Sequence, residues 1–264
     1  MTAKSFIKNA FVKLGSGKPK LVLTAYTALE ARIAEAAGVK YLLVGDSLGP
    51  VILGYPSTHE VTEADMLHHL AAVKRGSKKT TIIVDMPLSA LNKSTKSILA
   101  LAKRMQTTGA DAIKIEWHKA ATSLTSAITR MNIPVIGHIG YTPQYYAPKQ
   151  FAIRGKTNVD IETLQNQGTA FEQAGACAIV LECIVTKVAQ QLTQSLNIPT
   201  IGIGSGKYCN SQVLVFHDIV GLNPGFSAKF VKPYAQSHAI QTKAIQKLIQ
   251  EVEVAKYPSP KYAY

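Results

Sequence analysis

The chain has 264 residues, 47% of them hydrophobic and 17% charged, with a net charge of +13 from 29 basic and 16 acidic side chains. That length carries one large domain with a substantial core, and the composition argues against disorder. No apolar run approaches the ~18 residues that span a bilayer, and the basic residues are scattered without a basic block or an RNA-binding aromatic motif, so neither a membrane nor a nucleic acid is expected as partner. A positive field still favours encounter with anionic substrates. Cys177, Cys183 and Cys209 are odd in number and lack metal-ligand spacing, which fits a reduced, cytoplasmic compartment.

In chain order, residues 1–20 contain no acidic side chain, and Phe6, Ile7, Ala10, Phe11 and Leu14 share one helical face; a helix covering one end of the domain is expected. Strands and helices then alternate. Leu21–Ala25 reads as a strand, Ala28–Ala37 as a helix stopped at Gly38, and Tyr41–Asp46 as a second strand. Thr62–Arg75 reads as a helix with Thr62 as its N-cap. Thr80–Asp85 is the third strand, Ser94–Thr107 a helix, Ala112–Glu116 the fourth strand and Ala120–Met131 the next helix. Pro134–Ile139 is the fifth strand, followed by a long loop from Gly140 to Lys156. Helix Asp160–Ala174, strand Ala178–Cys183, helix Val185–Leu196 and strand Thr200–Ile203 follow. Phe216–Val220 reads as the eighth strand and Ser237–Val254 as a closing helix; residues 255–264 form a loose tail. Eight strands alternating with helices predict a single-domain (β/α)8 TIM barrel over 1–264. An open doubly wound sheet is the alternative.

A barrel collects its chemistry at the C-terminal ends of its strands. Asp46 ends the second strand and is followed by Ser47. Asp85 ends the third, Lys114 and Glu116 the fourth, His138 the fifth and Glu182 the sixth. Because strand side chains alternate faces, Lys114 and Glu116 share one face, and Glu182 shares its face with Val180 and Ala178. Structural roles are open for each: Asp46 and Asp85 as caps, Lys114 with Glu116 as an ion pair, His138 as a satisfied core histidine, Glu182 as a partner of Lys114. Together, six ionisable groups at five strand ends read as a site. Two aspartates with a further glutamate make a hard, oxygen-rich donor set that suits Mg²⁺. Such an ion can hold a 2-oxo acid and stabilise its enolate. Glu182 can take the proton beside the carbonyl, and Lys114 and His138 can hold the carboxylate and the oxyanion. Gly202-Ile-Gly-Ser-Gly-Lys207 misses the phosphate-loop pattern, with Ile201 and Tyr208 at the wrong positions. It reads as a Gly-rich turn that lets a ligand approach backbone.

From about Leu21 to Val220 the sequence resembles the ketopantoate hydroxymethyltransferase family. The resemblance rests on Leu-Thr-Ala-Tyr (23–26), Val-Gly-Asp-Ser-Leu-Gly (44–49), Leu-Gly-Tyr (53–55), Ser-Thr (57–58) and Val-Asp-Met-Pro (84–87). It continues through Ile-Lys-Ile-Glu (113–116), Gly-His-Ile-Gly-Tyr-Thr-Pro-Gln (137–144), Val-Leu-Glu (180–182) and Ile-Pro-Thr-Ile-Gly-Ile-Gly (198–204). It implies a barrel enzyme of pantothenate synthesis, homo-oligomeric and typically a decamer. It implies Mg²⁺ on Asp46 and Asp85, with Glu116 close by through water. The 2-oxo acid contacts map onto Asp46, Ser47, Asp85 and Lys114 with His138 nearby, and the proton acceptor onto Glu182. The implied substrates are 3-methyl-2-oxobutanoate and 5,10-methylenetetrahydrofolate. Departures are Trp117-His118 for the usual Gly-Gly, Pro87-Leu-Ser-Ala-Leu91 after the third strand, Lys149-Gln-Phe-Ala152 in the long loop, and Asn210 for a usual aspartate. The bulk of Trp117 and His118 is expected either to narrow the folate side of the pocket or to reshape that loop. A Mg²⁺-dependent lyase or mutase of 2-oxo acids, and a non-catalytic divergent homologue, are the alternatives.

Overall fold

A computed structural model describes residues 17–147, 151–225 and 228–264. The expected N-terminal covering helix falls almost wholly outside the described residues. The chain divides into two compact units, residues 1–215 and 216–264.

The first unit is a closed barrel of eight parallel strands in sequence order. They are β1 Lys20–Thr24, β2 Tyr41–Val44, β3 Thr81–Asp85, β4 Ala112–Glu116, β5 Val135–Gly140, β6 Ala178–Glu182, β7 Thr200–Ile203 and β8 Ser211–Leu214. Between them run α1 Ala28–Ala36, α2 Glu63–Gly76, α3 Thr95–Thr108, α4 Ala121–Arg130, α5 Asn158–Gln173 and α6 Thr186–Ser195. Local chemistry sets the helix starts. Thr27 with Glu30, and Thr62 with Asp65, form capping boxes at α1 and α2, while Ser94 and Thr157 cap α3 and α5 through their hydroxyls. Inside the barrel, Val22, Leu43, Ile83, Ala112, Ile136, Ala178, Val180, Ile201 and Val213 form one apolar plug. Each large side chain so buried contributes about 1.5–3 kcal/mol. This plug is the floor on which the polar rim stands.

The eighth strand differs from expectation. Ser211–Leu214 pairs with both β7 and β1 and closes the barrel, whereas Phe216–Ile219 is one helical turn in the second unit. The polar letters Ser211 and Gln212 hide the strand in the sequence, and Ser211 is fully buried. Phe216, Ile219 and Val220 are apolar at helical rather than alternating spacing. Two further features refine the loops. The stretch after β2 winds into a π-helical turn at Gly49–Leu53, and the long loop after β5 holds a 3-10 turn at Pro143–Tyr145 and a parallel bridge from Arg154 to Ile184. The three cysteines are free thiols. No helix among the described residues is long and apolar enough to cross a membrane.

The second unit contains α7, Ser237–Glu253, and a 3-10 turn at Pro260–Tyr262. Ile240, Ile245, Leu248, Ile249 and Val252 of α7 are all exposed.

Candidate active site

Strand parity and register bring the predicted residues together. Asp85 is level with Lys114 across β3 and β4, and Glu116 with His138 across β4 and β5. Gly140 is level with Glu182 across β5 and β6. Lys114 lies two residues above Ala112 of the plug, His138 two above Ile136, and Glu182 two above Val180, so alternation turns all of them inward. Ile113 and Ile115, of opposite parity, are buried outside the barrel wall.

Asp46 arrives differently. β2 stops at Val44, and Gly45 leads into a turn whose Asp46 N–H donates to Asp85 Oδ2 at 3.1 Å. A side chain at Gly45 would press on Ser47 Oγ at 3.0 Å and Asp85 Oδ2 at 3.4 Å. Glycine there lets the two aspartate-bearing segments meet. Asp46, Asp85, Lys114, Glu116 and His138 are all buried, and Ser47 is half-buried.

The contacts settle several open alternatives. Lys114 Nζ is 3.1 Å from Asp85 Oδ1 and 3.8 Å from Glu116 Oε1. Glu182 is therefore not the structural partner considered for Lys114; its Oε2 lies 3.1 Å from His138 Nε2, off the direction of a well-formed hydrogen bond. His138 Nδ1 is 3.2 Å from Glu116 Oε1, and Lys114 Nζ is 3.3 Å from the same nitrogen. Burial and Lys114 act against charge on His138, but Glu116 and Glu182 outweigh them and push it up to about 9. The Lys114 contact is a hydrogen bond when the ring is neutral at Nδ1 and an approach of like charges when the ring is an imidazolium, in which case Glu116 is the partner that Nδ1 faces.

Burial likewise opposes the charge of Lys114, but Asp85, Glu116 and Asp46 hold its ammonium above the usual lysine range. Burial would raise Glu116, yet His138 and Lys114 keep it below the usual range. Asp46 lies well above the usual carboxylate range because it is buried beside the charges of Asp85 and Glu116. Burial also raises Asp85, with Lys114 pulling the other way. Four carboxylates thus face two cationic groups, and the strain of that excess falls on Asp46.

A divalent cation would relieve the same strain, and the donors suit it. Asp46, Asp85 and Glu116 offer only hard carboxylate oxygens. Asp85 Oδ1 is buried and faces the Lys114 ammonium at 3.1 Å. Among the described residues no three His, Cys, Asp or Glu side chains form a ready-made metal cage; Mg²⁺ needs none, because it retains several waters and binds through one or two carboxylates.

Two residues of the site carry no role in the sequence reading. Gln144, 3% exposed, donates from Nε2 to Asp46 Oδ2 at 2.7 Å and Met86 O at 3.0 Å, and from its backbone N–H to Glu116 Oε2 at 3.0 Å. Tyr26, fully buried in the loop after β1, places its hydroxyl 2.8 Å from Ser47 Oγ. That loop is held by Glu30, which accepts from the Tyr26 N–H, and by His69 Nδ1, which donates to Tyr26 O. Applying the strand-end rule to β1 as well points to Tyr26.

Three of the residues that depart from the family pattern, Trp117, His118 and Asn210, have partners within the fold. Trp117 does not narrow the site: its ring packs edge-on against buried Phe171 of α5, centroids 5.4 Å apart. Coming directly after inward-facing Glu116, it faces outward by alternation. His118 stays at the rim, with Nδ1 donating to Glu116 O and its ring stacked on Tyr145 at 5.4 Å. Asn210 Oδ1 accepts from Thr200 N and Thr200 Oγ1 at 2.8 and 3.1 Å, a tie between β7 and β8 that the amide oxygen supplies. In the Gly-rich turn, the space at Gly206 is taken by Thr186, 2.5 Å from where a Cβ would stand, and its φ is +82°. Ser205 Oγ donates to Leu181 O and accepts from Ile184 N. At Gly206 and Ser205 the turn is packed against the protein itself.

A sequence model of the family described as ketopantoate hydroxymethyltransferase matches residues 6–260. A 3-methyl-2-oxobutanoate hydroxymethyltransferase of Thermotoga maritima is 43% identical over 255 residues, 96% of this chain and 94% of that protein. One from Ignicoccus hospitalis is 40% identical over 260 residues, 98% of each. Among solved structures, 2,3-dimethylmalate lyase, a member of the PEP mutase/isocitrate lyase superfamily, superposes with a TM-score of 0.66 at 16% identity, covering 99% of this chain and 93% of that one. Phosphonopyruvate hydrolase in complex with oxalate and Mg²⁺ gives 0.63 at 13% identity, with coverages of 99% and 93%. At these identities the structural likeness speaks for the barrel alone.

Proposed function

The chain belongs to the ketopantoate hydroxymethyltransferase family, and on that premise we propose that it transfers a one-carbon unit from 5,10-methylenetetrahydrofolate to 3-methyl-2-oxobutanoate through an enolate. The relatives' names supply the 2-oxo acid and the ketopantoate product; the donor, the metal and the order of steps are our reading. The observation that carries it is Glu182 at the mouth of a buried, charge-rich rim, its Oε2 3.1 Å from His138 Nε2.

In this reading Glu182 takes the proton from C3 of the 2-oxo acid. Charge then moves onto the keto oxygen, where the Lys114 ammonium and the His138 imidazolium are the cationic groups at hand. Carbon C3 attacks the methylene carbon of the donor: a C–C bond forms and one C–N bond breaks. Water then displaces the second nitrogen to supply the new hydroxyl, and the C3 proton and one proton of that water end on the two freed folate nitrogens. Ser47, held by Tyr26, donates to the substrate carboxylate. Asp46 and Asp85 would hold Mg²⁺, with Glu116 close by through water. Such an ion, when bound, supplies Lewis acidity toward keto and carboxylate oxygens. The phosphonopyruvate hydrolase structure holds oxalate, a chelating diacid, together with Mg²⁺ on a similar barrel. Glu116 fixes His138 and helps balance Lys114.

The test is formation of 2-dehydropantoate by purified protein given both substrates. A chelator should abolish it and Mg²⁺ should restore it. Product formed at full rate with the chelator present would overturn the metal's role, and product formed without the folate would overturn the donor. We further read the exposed apolar face of α7 as covered in a homo-oligomer, as the family implies. A sedimentation velocity run that finds only monomer would contradict it.

A further inference from the structure

We propose that Gln144 is a positioning residue for the reaction, setting the pose of the Asp46 carboxylate for a divalent cation. The proposal rests on the metal reading above. Gln144 sits in the loop after β5, yet ties three other segments: Asp46 after β2, Met86 after β3 and Glu116 of β4.

Its amide can face only one way. Asp46 Oδ2 and the Met86 carbonyl both accept, so the –NH₂ must point to them. Both of its protons are then used, and the plane of the Asp46 carboxylate is fixed between the Gln144 amide and the strand ends. Beside the attraction of the Lys114 ammonium, the amide also gives Asp46 a hydrogen-bond donor to set against the repelling charges of Asp85 and Glu116. Without that donor the carboxylate has every reason to turn away from them. The remaining atom, Gln144 Oε1, is buried and lacks a hydrogen-bond donor among the described residues. Leaving a buried acceptor unpaired is costly. The hydration shell of a bound cation carries the donors that would satisfy it, so the orphaned oxygen and the carboxylate clamp point to the same occupant.

Gln144→Met keeps the length of the side chain and the backbone bond to Glu116 but removes the amide. Gln144→Asn, which is polar and too short to reach Asp46, guards against a folding failure of the first variant. The probe is Mn²⁺ binding to the protein without substrates, followed by electron paramagnetic resonance, with the thermal unfolding midpoint as the control for folding. A hydrogen bond to a charged group corresponds to about a tenfold or larger weakening of Mn²⁺ binding in both variants. The Mg²⁺ concentration for half-maximal activity should rise in step, with kcat recovering at saturating Mg²⁺. A folded variant that binds Mn²⁺ as tightly as the wild type overturns the role of Gln144 and leaves the metal reading standing. A wild-type protein that binds no Mn²⁺ overturns both.

Discussion

Replacing Glu182 with glutamine separates proton removal from everything else the rim does. The two side chains have the same shape, and the Glu182 side chain is 17% exposed, so packing around it is barely disturbed. Glutamine can turn its carbonyl oxygen toward His138 Nε2, 3.1 Å from the present carboxylate oxygen, and accept from the imidazolium there. What it cannot do is take a proton from carbon. Loss of a positioned general base costs about 10²–10⁴ in rate; a thousandfold loss is about 4 kcal/mol in the barrier. The cleanest assay omits the folate. Incubation of 3-methyl-2-oxobutanoate with enzyme and Mg²⁺ in D₂O, followed by proton NMR of the C3 position, reports proton removal alone. The wild type should exchange the C3 proton, and Glu182→Gln should exchange it at least about a hundredfold more slowly, with binding of the 2-oxo acid kept. Exchange within about threefold of wild type would refute the assignment, because no general base of this kind is worth so little.

Tyr26→Phe removes only the hydroxyl 2.8 Å from Ser47 Oγ. It should raise KM for the 2-oxo acid by about three- to tenfold with kcat little changed, the worth of one neutral hydrogen bond; an unchanged KM would show that Ser47 needs no support. Asp160 joins the loop before α5 to its first turn, bonding Arg154 and the Gly155 N–H. Burial works to raise its carboxyl, but Arg154 and Gly155 hold it below the usual range. A depressed folded-state pKa contributes stability above the unfolded value, near 3.9, and loses it as pH falls through the folded value. Wild type should therefore exceed Asp160→Asn in urea midpoint at neutral pH by a modest margin, since the pair is partly exposed. The difference should close below about pH 4. A gap that stays constant into acid would contradict the linkage.

Much of this was legible in the sequence because a barrel writes itself in two periods. Alternation within β4 and β6 put Lys114, Glu116 and Glu182 on the inner face, and the order of strand ends gathered them at one rim. The same parity places Trp117 outside, against Phe171, away from the inner face that Glu116 occupies. What parity cannot supply is register between strands. Whether Glu182 meets Lys114 or His138 depends on how far β6 is sheared against β5 and β4, and nothing local to those segments says so. Gln144 was invisible for a related reason: its loop folds back across three strand ends, a tertiary event with no spacing to betray it. The eighth strand does not show in the sequence because it opens on Ser211, buried in the wall, and half-buried Gln212, while the apolar stretch after it has a helical period.

The account's central claim is that a carbon leaves the folate and arrives on C3 of the 2-oxo acid, with water providing the oxygen. Wild-type protein should be given 3-methyl-2-oxobutanoate and 5,10-methylenetetrahydrofolate labelled with ¹³C at the methylene, in H₂¹⁸O, and the 2-dehydropantoate analysed by mass spectrometry and ¹³C NMR. The account predicts one ¹³C at the new hydroxymethyl carbon, ¹⁸O on the same carbon, and tetrahydrofolate released in equal amount. Product without the ¹³C label, or labelled donor left intact while the 2-oxo acid is consumed, would contradict it.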